Sequence, residues 1–180
     1  MPEWITQLDF NLLYRIQDGM RCGFLDFLMP KITLLGNSGA LWIIIAVALL
    51  FQKKYRKHGI LLLAGLLIGA VVGNLILKNL FMRPRPCWLD PSVRLLISVP
   101  KDYAFPSGHT LSSVVAATIL TATNRRFAWA AIPLAALISF SRLYLFVHFP
   151  SDVVAAVILG IAIGFLVLKI GKRLLRIPQE

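Results

Sequence analysis

Apolar residues in this chain fall into long runs separated by short, charge-rich stretches. Residues 58–81, about 107–123, 127–147 and 151–173 each approach the length that covers about 30 Å of hydrocarbon at about 1.5 Å per helical residue. No segment sustains a two-residue alternation, so the spanning elements are predicted to be helices. Residues 23–51 are also apolar, but Pro30, Lys31 and Gly36-Asn37-Ser38-Gly39 interrupt them; they read as one long kinked crossing or as two short pieces. Residues 4–20 set Trp4, Ile5, Leu8, Phe10, Leu12, Leu13 and Ile16 against Asp9, Arg15 and Asp18. This is too polar to span, so residues 1–22 are predicted to be an amphipathic segment lying at the interface. The pattern predicts an all-α, polytopic membrane bundle of about five to six transmembrane helices. It forms a single domain over residues 1–180, with its helical core at 58–173.

Composition agrees with that reading. Of 180 residues, 58% are hydrophobic, above the roughly 45–50% of soluble domains. The net charge of +11 is gathered at the ends of apolar runs, which leaves no soluble basic face for nucleic acid. Lys53, Lys54, Arg56 and Lys57 precede one run, with His58 beside them. Arg125 and Arg126 separate two others, and Lys169, Lys172, Arg173 and Arg176 follow the last. If each long run crosses once, these clusters share one side and mark the cytoplasm, in contact with membrane lipids. Loops 82–106 and 147–150 then face outward. Cys22 and Cys87 read as ordinary thiols, and a disulfide between them would require both outside the cytoplasm. The N-terminus lacks the pattern of a cleaved signal peptide.

The polar residues with chemical potential concentrate in that outward region. Lys78 and Arg85-Pro86 flank a proline-rich turn that also contains Arg83. A point-charge lysine and a forked guanidinium, held by prolines, suit a phosphoryl group; Arg83 is the secondary member. Pro106-Ser107-Gly108-His109 opens the next run. Ser107 suits a helix cap, Gly108 permits close approach of the backbone, and the free N–H groups of a first turn attract an anion. His109 is placed to donate a proton. Ser141-Arg142 closes the following run and adds a third cation, while His148 and Asp152 bracket Pro150. A carboxylate in that first turn can hold one imidazole nitrogen and leave the other free to attack. Taken singly, Lys78 and Arg142 also suit snorkelling side chains, Asp152 a helix-dipole partner and His148 a structural histidine; their joint occurrence points to chemistry. Phosphoryl transfer depends mainly on positioning and charge neutralisation. Three cations supply the latter without a metal, and the spacing contains no metal-ligand set. Phe81, Trp88, Leu89, Tyr103 and Phe105 suit interfacial anchors better than a headgroup pocket.

In order and composition these three motifs resemble the signature of the type-2 phosphatidic acid phosphatase superfamily, the lipid phosphate phosphatases, over residues 78–152. The resemblance implies a metal-free, cofactor-free phosphatase acting on a lipid phosphate. His148 would form a phosphohistidine, Asp152 would orient it, and His109 would protonate the leaving group and then help activate water. Lys78, Arg85 and Arg142 would hold the phosphoryl oxygens, with Ser107 and Gly108 adding contacts. Small size and an outward-facing site resemble the bacterial enzymes that convert undecaprenyl diphosphate to the monophosphate. A phosphatidylglycerophosphate or phosphatidic acid phosphatase is the alternative. Vanadium haloperoxidases share the pocket, and a non-catalytic lipid-binding protein is more distant because binding alone requires no histidine pair.

Overall fold

The computed structural model describes residues 2–175; Arg176 of the last basic cluster lies outside them. Helix α1 (Glu3–Met20) is followed by α2 (Gly23–Leu35) and α3 (Ala40–Phe51), with Asn37–Gly39 between the latter two. Helix α4 (Arg56–Gly69) passes through a π-helical segment, Ala70–Leu77, into the short α5 (Lys78–Phe81). A loop containing the four-residue α6 (Pro86–Leu89) leads to α7 (Gly108–Thr123), α8 (Arg125–Tyr144) and α9 (Pro150–Leu174). Among the described residues there is no strand.

Among the described residues, three helices are long and apolar enough to cross a membrane: Arg56–Leu89, Arg125–Tyr144 and Pro150–Gly171. A fourth span is the pair Gly23–Leu35 and Asn37–Phe51, bent by 45°. The expected ambiguity in residues 23–51 is thereby narrowed to one break. Pro30 and Lys31 do not interrupt α2, which runs through both; the break lies at Ser38 and Gly39, which adopt positive φ of 51° and 65°. Helix α7 has only 16 residues, yet it connects the same two ends. With it the described residues pass between the two ends five times.

Helix α7 is the centre of the bundle. It buries Leu111, Val115, Ala116, Ile119 and Leu120 and packs against α4, α8 and α9. Glycines on two neighbours permit the close approach. A Cβ on Gly65 of α4 would lie 2.8 Å from Ile119 and 2.9 Å from Val115, and one on Gly164 of α9 would lie 2.7 Å from Thr118. In a bilayer, where lipid tails are as apolar as the side chains and supply no hydrophobic drive for association, such small-residue faces let helices gain van der Waals contact. On α3, Trp42 donates its buried indole N–H to Ser113 of α7 at 2.9 Å.

The basic clusters gather at one end. Asn124 donates to the Tyr55 hydroxyl at 3.2 Å, and the Tyr55 and Phe127 rings meet edge to face. The motif residues gather at the other end. Helix α1 caps that motif end: Gln17 donates to the Tyr144 carbonyl at 2.9 Å and the Tyr14 hydroxyl donates to Asp90 at 2.7 Å. Its outer face exposes Trp4, Leu8 and Leu12, whereas Asp9 and Leu13 are buried. The expected amphipathic helix therefore turns one of its charged positions inward, toward the protein. Cys22 is exposed and Cys87 buried, and both are free thiols.

Filling the glycine face should loosen the bundle. Gly164→Leu is expected to cost about 1–3 kcal/mol, read as a lower thermal midpoint in detergent. Gly19→Ala, where nothing lies within 4 Å of a new Cβ, is the control, and equal midpoints for the two variants would refute close α7–α9 packing.

Candidate active site

Two loops and three helix ends converge on a cavity of 830 Å³ lined by Lys78, Arg85, Asp102, His109, Arg142 and His148, with the backbone at Gly108. A larger cleft of 1070 Å³ lies at the opposite, basic end, and it contains neither His109 nor His148.

Each cation reaches the cavity by a different local device. Lys78 follows the π-helical segment; such widened turns change which face a side chain meets. Its side chain is buried and its Nζ pairs with Asp102. Arg85 precedes Pro86, whose ring starts α6. At 2% exposure its guanidinium is fixed on several sides: it donates to the carbonyls of Asp102 at 2.7 Å and Val147 at 2.6 Å, and to the Asp102 carboxylate at 2.7 Å. Arg142 ends α8, bonds Thr33 of α2 through Nη1, and leaves a buried Nε without a partner. A buried guanidinium N–H without an acceptor is costly, and here it belongs to a residue lining the cavity.

His148 lies in the turn between α8 and α9, 1% exposed. Its Nε2 is 3.0 Å from Arg85 Nη1. A guanidinium can only donate, so Nε2 accepts and the ring proton belongs on Nδ1. That nitrogen faces Asp152 Oδ2 at 3.7 Å and has no hydrogen-bond partner. The expected carboxylate–imidazole hydrogen bond is therefore an electrostatic contact here, because Asp152 is engaged elsewhere. Its Oδ2 accepts the Phe149 backbone N–H at 2.9 Å and its Oδ1 accepts from Arg83 at 2.5 Å. Burial, and then the positive charges of Arg85, Arg142 and Lys78, push the His148 pKa well below the usual histidine value. The imidazole is neutral and its Nε2 lone pair faces the cations.

The Pro106–His109 segment divides between two tasks. Gly108 lines the cavity, and the close approach it permits is to Asn74: a Cβ there would lie 2.7 Å from Asn74 Oδ1. Ser107 precedes α7 as expected, but its side chain caps no backbone N–H. It is fully buried, accepts the Thr110 hydroxyl at 3.1 Å, and is absent from the cavity lining. Its hydroxyl is thus engaged by Thr110 within the first turn of α7. His109 Nε2 lies 2.8 Å from Asn37 Oδ1, in the break between α2 and α3. Phe81, Trp88, Leu89, Tyr103 and Phe105 do not line the cavity; Trp88 instead donates to the Pro100 carbonyl at 3.1 Å.

Three features of the site lay outside the sequence reading. Asn37 and Asn74 reach it from an apparent interruption and an apolar run. Asp102 is the third: its carboxylate spans Lys78 and Arg85. Burial works against its ionisation, but the Lys78 hydrogen bond and the Arg85 charge outweigh that and hold its pKa below the ordinary aspartate value. An anion therefore already bridges two of the three cations.

A buried cation cradle beside a neutral histidine, inside a bundle of apolar helices, is the architecture of a membrane-embedded phosphatase. The PAP2 superfamily model matches residues 58–176, and the chain belongs to that superfamily, as a lipid phosphatase and a multi-pass membrane protein. It is 34% identical over 165 residues to an undecaprenyl-diphosphatase of Sulfolobus acidocaldarius, covering 91% of this chain and 79% of the relative. It is 32% identical over 143 residues to undecaprenyl-diphosphatase BcrC of Bacillus subtilis, covering 79% and 72%. Among solved structures it resembles a transmembrane PAP2-type phosphatidylglycerolphosphate phosphatase of Bacillus subtilis. The TM-score is 0.79 at 26% identity, over 96% of this chain and 88% of that one.

The break at Gly36 is expected to be intolerant of a side chain. A Cβ there would lie 2.6 Å from His109 Cδ2 and 2.8 Å from Ile138 Cγ2. If His109 serves as the acid that the resemblance implies, displacing its ring by such an amount is expected to lower turnover by about 10- to 100-fold. Gly36→Ala should show that loss in a phosphate-release assay while remaining folded in detergent; wild-type turnover would show that His109 is not held by this contact.

Proposed function

We propose that this protein hydrolyses a polyprenyl diphosphate at the extracytoplasmic face, with undecaprenyl diphosphate as the first candidate, giving the monophosphate and inorganic phosphate through a phosphohistidine. The observation that carries the reading is the cavity in which the unpartnered Nε of Arg142 joins Lys78 and Arg85 beside His148 Nε2. In the first step His148 Nε2 attacks the terminal phosphorus, the P–N bond forms, and the bridging P–O bond breaks. His109 gives its proton to the leaving lipid phosphate. Lys78, Arg85 and Arg142 neutralise the equatorial oxygens, while Asp152 balances the imidazolium through Nδ1–H. In the second step water attacks phosphorus, His109 takes its proton, and the P–N bond breaks to release phosphate. Phosphoryl oxygens and the Asp102 carboxylate compete for the same two cations, so substrate binding displaces Asp102.

Location and substrate have separate supports. The basic clusters at the opposite end favour an outward-facing site by the positive-inside rule. The cavity wall includes Leu34, Ile43 and Leu67, which are also exposed on the outside of the bundle, so a lipid tail can remain in the membrane while its phosphate enters. Two undecaprenyl-diphosphatase relatives favour the diphosphate. The fold likeness to the phosphatidylglycerolphosphate phosphatase supports that monoester as the second reading.

Purified protein given undecaprenyl diphosphate, phosphatidylglycerophosphate and phosphatidic acid should release phosphate fastest from the first, and in excess EDTA. His148→Ala should abolish release; retained turnover would remove His148 as nucleophile, and activity restored only by a divalent ion would refute charge neutralisation by side chains alone. The pH dependence follows from the lowered His148 pKa. A neutral nucleophile is lost only as pH falls through its own pKa, so the acid limb of kcat/KM should lie below about 6.5, the value of a free histidine, once substrate ionisation is factored out. An acid limb above that value would contradict the assignment.

A further inference from the structure

We infer that Asp9 and Arg83 are positioning residues that direct the Asp152 carboxylate at His148, which makes the N-terminal helix part of the catalytic machinery. The inference rests on the reading of His148 as nucleophile.

A carboxylate on a helix whose neighbouring residues Leu8 and Leu12 face outward would ordinarily lie in the headgroup region. Asp9 is instead 3% exposed. Burying a lone carboxylate costs several kcal/mol unless partners satisfy it, and the partners present all lead to the catalytic turn. Asp9 accepts from Arg83 Nη2 at 2.7 Å, from the Ser151 backbone N–H at 2.9 Å and from the Ser151 hydroxyl at 2.5 Å. The other arm of Arg83 donates to Asp152 Oδ1 at 2.5 Å and to Ser151 Oγ at 2.8 Å. Its guanidinium lies 4.1 Å from the Phe149 ring centroid. A planar fork thus bridges two carboxylates, an arrangement that arginine makes and lysine cannot.

The charge count explains why the bridge contains Asp9. Arg83 alone would cancel Asp152 and leave nothing to balance an imidazolium on His148. With Asp9 present the trio keeps one negative charge, at the end that faces Nδ1. On its other side His148 meets Arg85, Arg142, Lys78 and His109, with Asp102 across from it on the first and third of these. All but Asp102 on that side oppose a positive imidazole, so the residual charge on the Asp9–Arg83–Asp152 side matters.

This role can be separated from a merely structural one by sign. Asp9→Asn removes a negative charge behind Asp152, which lowers the His148 pKa and moves the acid limb of kcat/KM down. Arg83→Gln removes a positive charge and moves it up. Each shift is expected to be about one pH unit, with kcat reduced about tenfold and KM changed by less than about twofold. The double variant should bring the limb back toward the wild-type position. Arg83→Lys keeps the charge and loses the fork, so it should lower kcat without moving the limb; it also serves if the neutral variants fail to fold. Unmoved limbs, or shifts in the same direction, with activity falling only in step with thermal midpoint, would overturn the inference. Trapping of acid-labile phosphoenzyme from wild type tests the underlying reading separately: its absence removes His148 as nucleophile. Its presence together with unmoved limbs removes only the role of Asp9 and Arg83.

Discussion

Three cations converging on one buried cavity repel one another. At an effective dielectric constant of about 20, two unit charges about 4 Å apart already oppose each other by about 4 kcal/mol, and Lys78, Arg85 and Arg142 must be held before any anion arrives. Much of the motif end of this bundle can be understood as the means of doing so. Asp102 offers a carboxylate to two of them, and backbone carbonyls of Asp102, Tyr103 and Val147 surround the Arg85 fork. Thr33 holds one arm of Arg142. The Arg142 Nε remains without an acceptor, so the cradle is preorganised but not fully satisfied, the condition under which an incoming oxyanion gains most.

The helical scaffold makes that preorganisation affordable. Helix α7 is held between glycine-bearing surfaces of α4 and α9, and its first turn carries His109. The same α4 carries on through its widened turn to Lys78, and α9 begins at the turn that holds His148. The glycine contacts that pack the bundle therefore also fix the spacing among Lys78, His109 and His148. Packing against α7 thereby couples the stability of the bundle to the geometry of the cavity.

The chain's local pattern made the helices and the motif residues legible, since a long apolar run and a proline-bounded turn are properties of consecutive residues. Lys78, Arg85, Gly108, His109, Arg142 and His148 do line one cavity, and the roles assigned to them are the proposal made above. What local pattern could not supply was partner choice across the bundle. Asp102 and Lys78 are separated by 24 positions and His109 and Asn37 by 72. Ser107 carried the signal of a cap, yet its hydroxyl accepts from Thr110. Asp152 carried the signal of an imidazole partner, yet its oxygens are taken first by Arg83 and the Phe149 N–H. In both cases a second acceptor or donor, invisible along the chain, competed successfully.

Arg83 shows why such competition matters to function. By spacing it is a near-duplicate of Arg85, two residues away in the same proline-rich turn. Their side chains nevertheless reach opposite sides of the turn that holds His148. Arg85 meets His148 Nε2, while Arg83 meets Asp152 and Asp9. One short turn thus places positive charge on both sides of His148, and under the proposed role of that residue only one side can be left uncompensated if the imidazole is to accept positive charge. The buried Asp9 resolves that conflict from a helix otherwise directed at the membrane. An N-terminal segment that resembles a simple interfacial anchor is thereby tied, through Asp9, to the charge balance around His148.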